Sequence, residues 1–320
     1  MKKIEAYVAL VERSLQEQEF SGKPAGLYDP IVYFMQLGGK RLRPALCLAA
    51  CEMFGQPATQ ALPPALAIEI FHNFTLVHDD IMDEAAVRRG KPTVHRKWDL
   101  NTAILSGDTM LVKSYQLLSQ VEGKILKPVL DTFSQTAIEV CEGQQYDLAF
   151  ESEAPVKEED YIKMIRLKTS VLLGAALKIG ALTGGASEED AARIYRFGVN
   201  TGIAFQIQDD LLDAFGNPEK VGKKPGGDII QNKQTLLRIF AWHQGGDAAR
   251  SALERSYDGE NEKVSATLEL FEKCGARSYV EKKRDDYLKM ALKSLDAVKG
   301  DEEIRRELSQ FAQWLISRDY

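Results

Sequence analysis

The sequence predicts an all-α protein, and three observations support this fold class. Apolar residues recur with the 3.6-residue period of a helix along most of the 320-residue chain. The periodic segments are long, and short breaks with glycine or proline join them. No segment shows the clear alternation of apolar and polar residues that is typical of a strand. Long helices with short connections favour a helical bundle, and we expect a single domain over residues 1–320.

Seven segments carry the helical pattern. They span residues 1–20, 43–54, 62–82, 101–121, 129–150, 158–184 and 187–216. Pro63 and Pro64 fall in the first turn of the third segment, where a missing N–H costs no helical hydrogen bond. Ser187 is followed by three acidic residues, which is typical of a helix N-terminus. The longest irregular segment, 215–228, contains three lysines, and we interpret it as a flexible basic loop that closes over a site.

The composition excludes several classes of protein. With 44% hydrophobic and 28% charged residues and a mean hydropathy of -0.26, the chain resembles a globular protein. A net charge of -6 argues against a nucleic-acid partner, since such proteins carry a basic surface. We find no secretory signal and no apolar run long enough to span a bilayer, so we expect a cytoplasmic protein without stable membrane insertion. Four cysteines are too few and too scattered for a disulfide framework, and we interpret Cys47 and Cys51 as buried core thiols.

Two aspartate-rich segments carry the chemistry. "DDIMD" occupies residues 79–83 and "DDLLD" occupies residues 209–213, each at the end of an apolar helix. The first and last aspartates of each segment lie one helical turn apart, where two carboxylates repel each other. A divalent cation relieves this repulsion, and oxygen ligands favour Mg²⁺ or Mn²⁺. The alternative is that either segment is only a solvated helix end.

Basic residues accompany both acidic segments. The candidates for binding phosphate oxygens are Lys40, Arg41, Arg43, Arg88, Arg89, Lys168, Lys223, Lys224 and Lys233. Each of them alone is more often a surface charge. Together with two metal-binding helix ends, they predict a cavity for two diphosphates.

The order of the motifs resembles that of the trans-isoprenyl diphosphate synthases, the polyprenyl synthetase family. The matching stretches are "GGKRLRP", "LVHDDIMD", "RRGKPTVH", "KTS", "FQIQDDLLD" and "GGDIIQNK", and they cover essentially the whole chain. The resemblance implies an all-α bundle of the isoprenoid synthase type around a central cavity, a homodimer and three Mg²⁺ ions. It also implies that an allylic diphosphate (dimethylallyl, geranyl or farnesyl) ionises and is attacked head to tail by isopentenyl diphosphate.

The resemblance assigns roles residue by residue. Two ions are expected on Asp79 and Asp83, with Asp80 in support, and a third on Asp209, with Asp210 and Asp213. The allylic diphosphate is expected at Arg88, Lys168 and Lys223, and isopentenyl diphosphate at Lys40, Arg43, His72 and Arg89. Thr169 and Gln206 match polar residues at the reaction centre, and Lys233 is a further candidate for a substrate phosphate. His72 precedes Asp79 by two helical turns, although a core histidine is its alternative interpretation.

Product length is expected to depend on the residues that precede Asp79. Phe74 lies five positions before Asp79, or about 7.5 Å along a helix, and Phe71 lies nearly one turn further. Bulky rings there stop a growing apolar chain by steric exclusion. In the family, a ring at the Phe74 position with a small residue at the Thr75 position is typical of enzymes that make twenty-carbon chains. We therefore expect geranylgeranyl or farnesyl diphosphate, and ordinary core packing of the two rings is the alternative.

Two other functions are alternatives, namely a terpene cyclase and a non-catalytic subunit. A terpene cyclase also uses an aspartate-rich segment, but its second metal site mixes Asn, Ser or Thr with Glu, and it needs no second diphosphate pocket. A non-catalytic, regulatory subunit of a heteromeric prenyl synthase would be expected to have lost some of these aspartates or arginines. Neither departure is present here, so a short-chain prenyltransferase is the favoured interpretation.

Overall fold

The computed structural model describes residues 1–18, 20–151, 155–216 and 226–317. Helices account for most of these residues, which confirms the all-α prediction. The helices are α1 (Lys2–Glu17), α2 (Ala25–Gln36), α3 (Leu42–Met53), α4 (Leu62–Met82), α5 (Val94–Lys97), α6 (Leu100–Leu118), α7 (Gly123–Phe150), α8 (Glu158–Ile165), α9 (Val171–Thr183), α10 (Glu188–Phe215), α11 (Gly227–Ile230), α12 (Leu236–Gln244), α13 (Gly246–Glu254), α14 (Glu260–Lys273), α15 (Ala276–Asp296) and α16 (Glu302–Ile316). A short 3₁₀ helix, Ala58–Ala61, precedes α4.

Two helix starts form as the sequence predicts. Pro63 and Pro64 lie in the first turn of α4. At the start of α10, the backbone N–H of Asp190 donates to Oγ of Ser187 at 3.1 Å. The Ser187 hydroxyl in turn donates to Oδ2 of Asp190 at 2.9 Å. This reciprocal pair satisfies a donor that the first turn of a helix leaves without a partner.

One predicted helix is divided in the structure. The segment 158–184 forms α8 and α9, and a wide π-helical turn, Arg166–Ser170, separates them. The backbone N–H of Val171 donates to the carbonyl of Arg166, five residues earlier, instead of four. Such a turn inserts one residue without breaking the run of apolar residues, so periodicity does not reveal it.

A two-stranded ribbon was not predicted. Strand β1 (Val87–Arg88) pairs antiparallel with β2 (Lys91–Pro92), and Arg88 lies opposite Lys91. Arg89 and Gly90 connect the strands with positive φ values of 51° and 75°. Two left-handed residues in this position make the tight hairpin turn that suits the twist of the strands. The ribbon is too short for alternation to show in the sequence.

The chain divides into two compact units, and the single-domain prediction stays a prediction. The first unit comprises residues 1–133, 176–192 and 299–307. Within it, α4 packs along α6 and against α1 and α3. Its core contains the fully buried side chains of Phe34, Leu46, Ile68 and Phe71. Cys47 and Cys51 are also buried there, which confirms their interpretation as core thiols.

The second unit comprises residues 134–175, 193–298 and 308–320, within the described ranges. Its core is formed by apolar side chains of α8, α10, α12, α14 and α15, including Ile165, Ile207, Leu211, Phe271 and Val280. Among the described residues, no helix combines the length and the apolar character that crossing a bilayer requires.

Candidate active site

The first aspartate-rich segment lies at the C-terminal end of α4. Asp79 is half-buried in the last turn, and Asp83 is exposed at the C-cap, where its N–H donates to the carbonyl of Asp79 at 2.8 Å. The one-turn spacing predicted from the sequence is therefore present. A helix C-terminus also carries partial negative charge, so the two carboxylates form a strongly anionic helix end.

Asp80 has a different environment from its two neighbours. Its side chain is buried, and its Oδ1 accepts a hydrogen bond from Nε of Arg88 at 2.7 Å. Burial raises the pKa of the Asp80 carboxyl, and the charge of Arg88 opposes that rise. The second oxygen, Oδ2, is buried and has no hydrogen-bond partner among the described residues. Asp80 thus fixes Arg88 and keeps one acceptor unused.

The hairpin that follows α4 also orients Arg89. The Arg89 guanidinium donates to the backbone carbonyl of Gly38, in the glycine pair that precedes Lys40. Burial lowers the pKa of Arg89, and the nearby charge of Arg41 adds to this effect. The structure therefore brings Arg89 and the "GGKRLRP" segment together, although they are separated by about fifty residues in the sequence. Lys40 is exposed beside them.

Arg43 and His72 form a contact pair within the first unit. Nη1 of Arg43 lies 3.1 Å from Nε2 of His72. Burial, followed by the charge of Arg43, lowers the pKa of His72 well below its usual value. The imidazole is therefore neutral at pH 7, and Nε2 accepts from the guanidinium. Nε of Arg43 is buried without a hydrogen-bond partner among the described residues, so this cation retains an unused donor.

Arg41 does not have the role that the sequence suggested. The basic segment predicts a phosphate ligand at Arg41, but its side chain is buried at the start of α3. Its Nη1 lies 2.6 Å from Oε1 of Glu69, its Nε lies 2.8 Å from Oε1 of Glu12, and its Nη2 donates to the carbonyl of Met35 at 3.1 Å. Each of the three guanidinium nitrogens has a partner within the first unit, so Arg41 is a structural residue.

The predicted chain-length residues lie together on α4. The ring centroids of Phe71 and Phe74 are 5.6 Å apart, and both side chains are buried. Phe71 also packs edge-to-face against Phe133 at 5.1 Å, and Phe74 packs against His78 at 4.7 Å. The Thr75 hydroxyl donates to the carbonyl of His72 at 2.8 Å. These contacts agree with both a barrier to chain growth and ordinary core packing.

The second aspartate-rich segment lies near the end of α10, in the second unit. Asp210 is buried and accepts a hydrogen bond from the hydroxyl of Tyr161. Nε2 of Gln206 lies 3.5 Å from its other oxygen. Burial raises the pKa of Asp210 to about 8. Asp209 is half-buried beside it.

Asp213, one turn beyond Asp209, holds the start of α11. Its Oδ2 accepts the backbone N–H of Asp228 at 2.9 Å. Burial raises the pKa of the Asp213 carboxyl. Lys233 is exposed and pairs with Asp228 at 3.5 Å. Asp213 therefore links the acidic helix end to the "GGDIIQNK" segment.

Lys168 and Thr169 both lie in the wide turn between α8 and α9. The ammonium of Lys168 donates to Asp147 of α7, and Thr169 is half-buried. Lys223 and Lys224, together with most of the predicted basic loop, lie outside the described residues.

Comparison with known proteins identifies the family. A family model described as polyprenyl synthetase matches residues 24–274. The chain belongs to the polyprenyl synthetase family. It is 40% identical to a geranylgeranyl diphosphate synthase of Methanosarcina mazei over 93% of this chain and 91% of that protein. It is 34% identical to a geranylfarnesyl diphosphate synthase of Natronomonas pharaonis over 97% of this chain and 95% of that protein.

The solved structures agree with this assignment. A crystal structure of a geranylgeranyl pyrophosphate synthase superposes with a TM-score of 0.94 at 41% identity, and covers 100% of both chains. The isoprenoid synthase fold and the short-chain trans-prenyl synthase family, both expected from the motifs, are therefore confirmed. The chain is a prenyltransferase.

The aspartates of this synthase suit Mg²⁺ only with help from a ligand. Among the described residues, no group of three histidine, cysteine, aspartate or glutamate side chains could hold a metal ion alone. Mg²⁺ does not require such a cage, since it binds one or two carboxylates and completes its shell with water and substrate phosphates. Asp79 and Asp83 supply two carboxylates one turn apart, so the residues fit an ion that arrives with a diphosphate.

Several residues of the synthase site were missed from the sequence. Tyr161 holds Asp210 from 49 positions away, and Asp147 holds Lys168 from 21 positions away. Gln144 is buried on α7, and its two amide atoms have no hydrogen-bond partner among the described residues. Periodicity places Gln144 and Asp147 on one helix, but no pattern in the sequence says which residues they face.

Proposed function

We propose that this prenyltransferase joins isopentenyl diphosphate head to tail to dimethylallyl, geranyl or farnesyl diphosphate, and releases geranylgeranyl diphosphate, farnesyl diphosphate or both. One observation carries the proposal. The end of α4 presents Asp79 and Asp83 one turn apart, and the hairpin that follows turns Arg88 back onto Asp80. Carboxylates for a metal and a fixed cation for a phosphate therefore share one helix end.

The reaction needs charge stabilisation rather than a protein nucleophile. Asp79, Asp83 and Asp209 would hold Mg²⁺, which would supply Lewis-acid stabilisation of the diphosphate leaving group. The allylic C–O bond breaks, and its electron pair leaves on the diphosphate oxygen. Arg88 and Lys168 bind that developing charge, and Lys223 has the same role in the proposal. Thr169 and Gln206 face the reacting carbons in this scheme.

The second substrate supplies the new carbon–carbon bond. The double bond of isopentenyl diphosphate attacks the allylic carbon, and a proton then leaves to the released diphosphate and restores an alkene. Lys40, Arg43 and Arg89 bind the diphosphate of isopentenyl diphosphate. The neutral imidazole of His72 accepts from Arg43 and orients its guanidinium. Holding both substrates in this geometry removes much of the entropic barrier to their reaction.

Product length follows from the rings on α4. Phe74 lies five residues before Asp79, and its ring packs against both Phe71 and His78. A buried ring packed against two others cannot move aside at low cost, so it limits the growing chain. The small side chain of Thr75 leaves more room than a second ring would, which favours twenty carbons over fifteen. The names of the relatives support a product of this size or near it.

We extend the proposal to a homodimer. Leu100, Ile104, Leu105 and Val112 of α6 are exposed apolar side chains on one helix. Such an apolar patch on a water-facing helix is typical of a protein–protein contact. Light scattering of the purified protein at several concentrations tests this, and a monomer mass throughout would contradict it.

The decisive experiment for the activity is product analysis. The purified protein is incubated with labelled isopentenyl diphosphate and, in turn, each of the three allylic diphosphates with Mg²⁺, and the dephosphorylated products are sized. We expect diphosphate release that requires Mg²⁺ or Mn²⁺ and stops with EDTA, and a main product of twenty carbons. A hydrocarbon product would indicate cyclisation, and no product from any starter would contradict the proposal.

A further inference from the structure

The wide turn that carries Lys168 and Thr169 is in close contact with two glycines. A Cβ atom on Gly143 of α7 would lie 2.2 Å from the backbone nitrogen of Lys168. A Cβ atom on Gly202 of α10 would lie 2.8 Å from Cα of Ser170. Real Cβ atoms essentially never approach another atom within 3.0 Å. Because these neighbours are backbone atoms or a Cβ, a rotamer change would not relieve either clash.

The turn is also held by side chains on both sides of Gly143. Asp147, one turn after Gly143 on α7, accepts from the ammonium of Lys168. Glu139, one turn before Gly143, lies 3.8 Å from the guanidinium of Arg166. These three residues of α7 recur every four positions and therefore share one face. On that face, the carboxylates of Glu139 and Asp147 contact side chains of the wide turn, and Gly143 between them contacts its backbone.

A further contact closes the turn from inside. The buried hydroxyl of Ser170 donates to the carbonyl of Ile165 at 3.2 Å, across five residues. In a regular α-helix, a serine hydroxyl of this kind bonds the carbonyl three or four residues earlier. The Ser170 bond therefore matches the wider turn and not a normal helix.

We propose that Gly143 and Gly202 are positioning residues of the synthase: they admit the wide turn between α7 and α10, and this turn sets where Lys168 and Thr169 meet the allylic substrate. The proposal rests on the function proposed above. It gives a functional reason for the π-helical turn. Such turns are rare and occur frequently at functional sites. It also explains why α7 carries a glycine in its interior, where glycine is less favourable than alanine.

The test is Gly143→Ala. A methyl group at this position must move the backbone at Lys168 by about 0.8 Å to reach the 3.0 Å limit. A shift of this size at a reacting centre lowers a rate by roughly tenfold to a hundredfold. We expect kcat to fall by at least tenfold and the KM for the allylic diphosphate to rise. The KM for isopentenyl diphosphate stays within twofold, because Lys40, Arg43 and His72 belong to the other unit.

Gly180→Ala is the matched control. Its Cβ would lie 2.0 Å from the carbonyl oxygen of Cys47, an equally severe backbone clash within the first unit and away from the wide turn. We expect it to lower the melting temperature but to leave kcat per folded molecule within twofold of the wild type. An equal fall of kcat in both variants would mean that any tight glycine has this effect, and would overturn the proposal.

A second variant covers the case in which Gly143→Ala does not fold. Ser170→Ala adds no bulk and removes only the hydroxyl that closes the turn. We expect a threefold to tenfold fall in kcat with the same selective rise in the allylic KM. Wild-type constants in folded Gly143→Ala, or in folded Ser170→Ala where the glycine variant does not fold, would overturn the proposal. An inactive wild type would instead count against the proposed function.

Discussion

Nε of Arg88 lies 2.7 Å from Oδ1 of Asp80, a carboxylate that is buried at the end of α4. The two residues are eight positions apart, and the hairpin between β1 and β2 turns the chain back to bring them together. A buried carboxylate with a cation beside it stays ionised at a lower cost than one without a partner. The middle aspartate of the first segment therefore orients an arginine, whereas the proposed function assigns the metal to the outer two.

This division of roles predicts different defects for neighbouring substitutions. Asp79→Asn removes a metal carboxylate, so we expect kcat to fall by roughly a hundredfold or more and the Mg²⁺ concentration for half-maximal rate to rise. Asp80→Asn removes the negative charge that holds Arg88, so we expect mainly a higher KM for the allylic diphosphate and a nearly unchanged Mg²⁺ requirement. Steady-state rates measured across a Mg²⁺ series distinguish the two. Asp131→Asn, at an exposed position of α7, is the control.

Phe74→Ala tests the barrier to chain growth. Removing the ring opens space beside Phe71 and His78, so we expect the main product to lengthen by at least one five-carbon unit. Phe34→Ala makes a cavity of similar size in α2 and serves as the control for lost stability, since Phe34 is fully buried elsewhere in the first unit. Products are dephosphorylated and sized by chromatography. An unchanged product from Phe74→Ala would assign Phe74 to core packing.

Local patterns in the sequence predicted the helix ends well. α4 ends at Met82, within one residue of Asp83, and α10 passes through both Asp209 and Asp213 before it ends at Phe215. These predictions depend on apolar periodicity and on proline and serine at helix starts, which are local signals. The resemblance to the polyprenyl synthetase family assigned functions to the motifs, and the comparison with known proteins confirmed the family.

Two of the errors share one physical cause, which is contact between residues distant in the sequence. Arg41 lies in a basic segment and was counted as a phosphate ligand, but Glu69 from 28 positions away neutralises it. The wide turn at Lys168 follows from its close contact with Gly143, which no helical pattern records. Such long-range contacts form only when the helices pack together. The hairpin after α4 was missed for a local reason, because two residues per strand are too few to show alternation.

Tyr161→Phe tests the support of the second aspartate-rich segment. The buried carboxyl of Asp210 accepts a hydrogen bond from the Tyr161 hydroxyl, and phenylalanine keeps the ring but removes that donor. We expect the free energy of unfolding to fall by about 1–3 kcal/mol, the usual cost of a buried polar group without its partner. Urea unfolding followed by circular dichroism measures it. Tyr257→Phe removes a hydroxyl bond at a half-buried carbonyl of Ala252 and should have a smaller effect.

The reactivity of the cysteines tests their burial. Burial raises the pKa of Cys51 to about 11 and that of Cys47 well above its usual value. Since only the thiolate reacts, about one molecule in a thousand has a reactive Cys51 at pH 8. We expect a thiol reagent at pH 8 to modify exposed Cys141 quickly, and Cys47 and Cys51 only after unfolding in urea. Rapid modification of Cys47 in the native protein, located by peptide mapping, would contradict the packing of α3.

Breaking the buried pair of Arg41 and Glu69 should destabilise the first unit far more than breaking a surface pair does. Both side chains are almost completely buried, with exposed fractions of 1% and 4%. Glu69→Gln leaves a buried guanidinium with only half-exposed Glu12 as a carboxylate partner, so we expect a loss of about 3–5 kcal/mol. Thermal unfolding of the variant measures the change. Asp131→Asn breaks the exposed pair with Lys127 and should hardly alter the melting temperature.

Glu69→Gln also distinguishes an effect on the whole fold from an effect on the binding of one substrate. Arg41 is the N-cap of α3 and directly follows Lys40, in the left-handed conformation with φ of 48°, so the position of Lys40 depends on where Arg41 is held. We therefore expect folded Glu69→Gln to have a raised KM for isopentenyl diphosphate and an unchanged KM for the allylic diphosphate. Equal changes in both constants would show that the pair acts on the fold as a whole and not on the "GGKRLRP" segment.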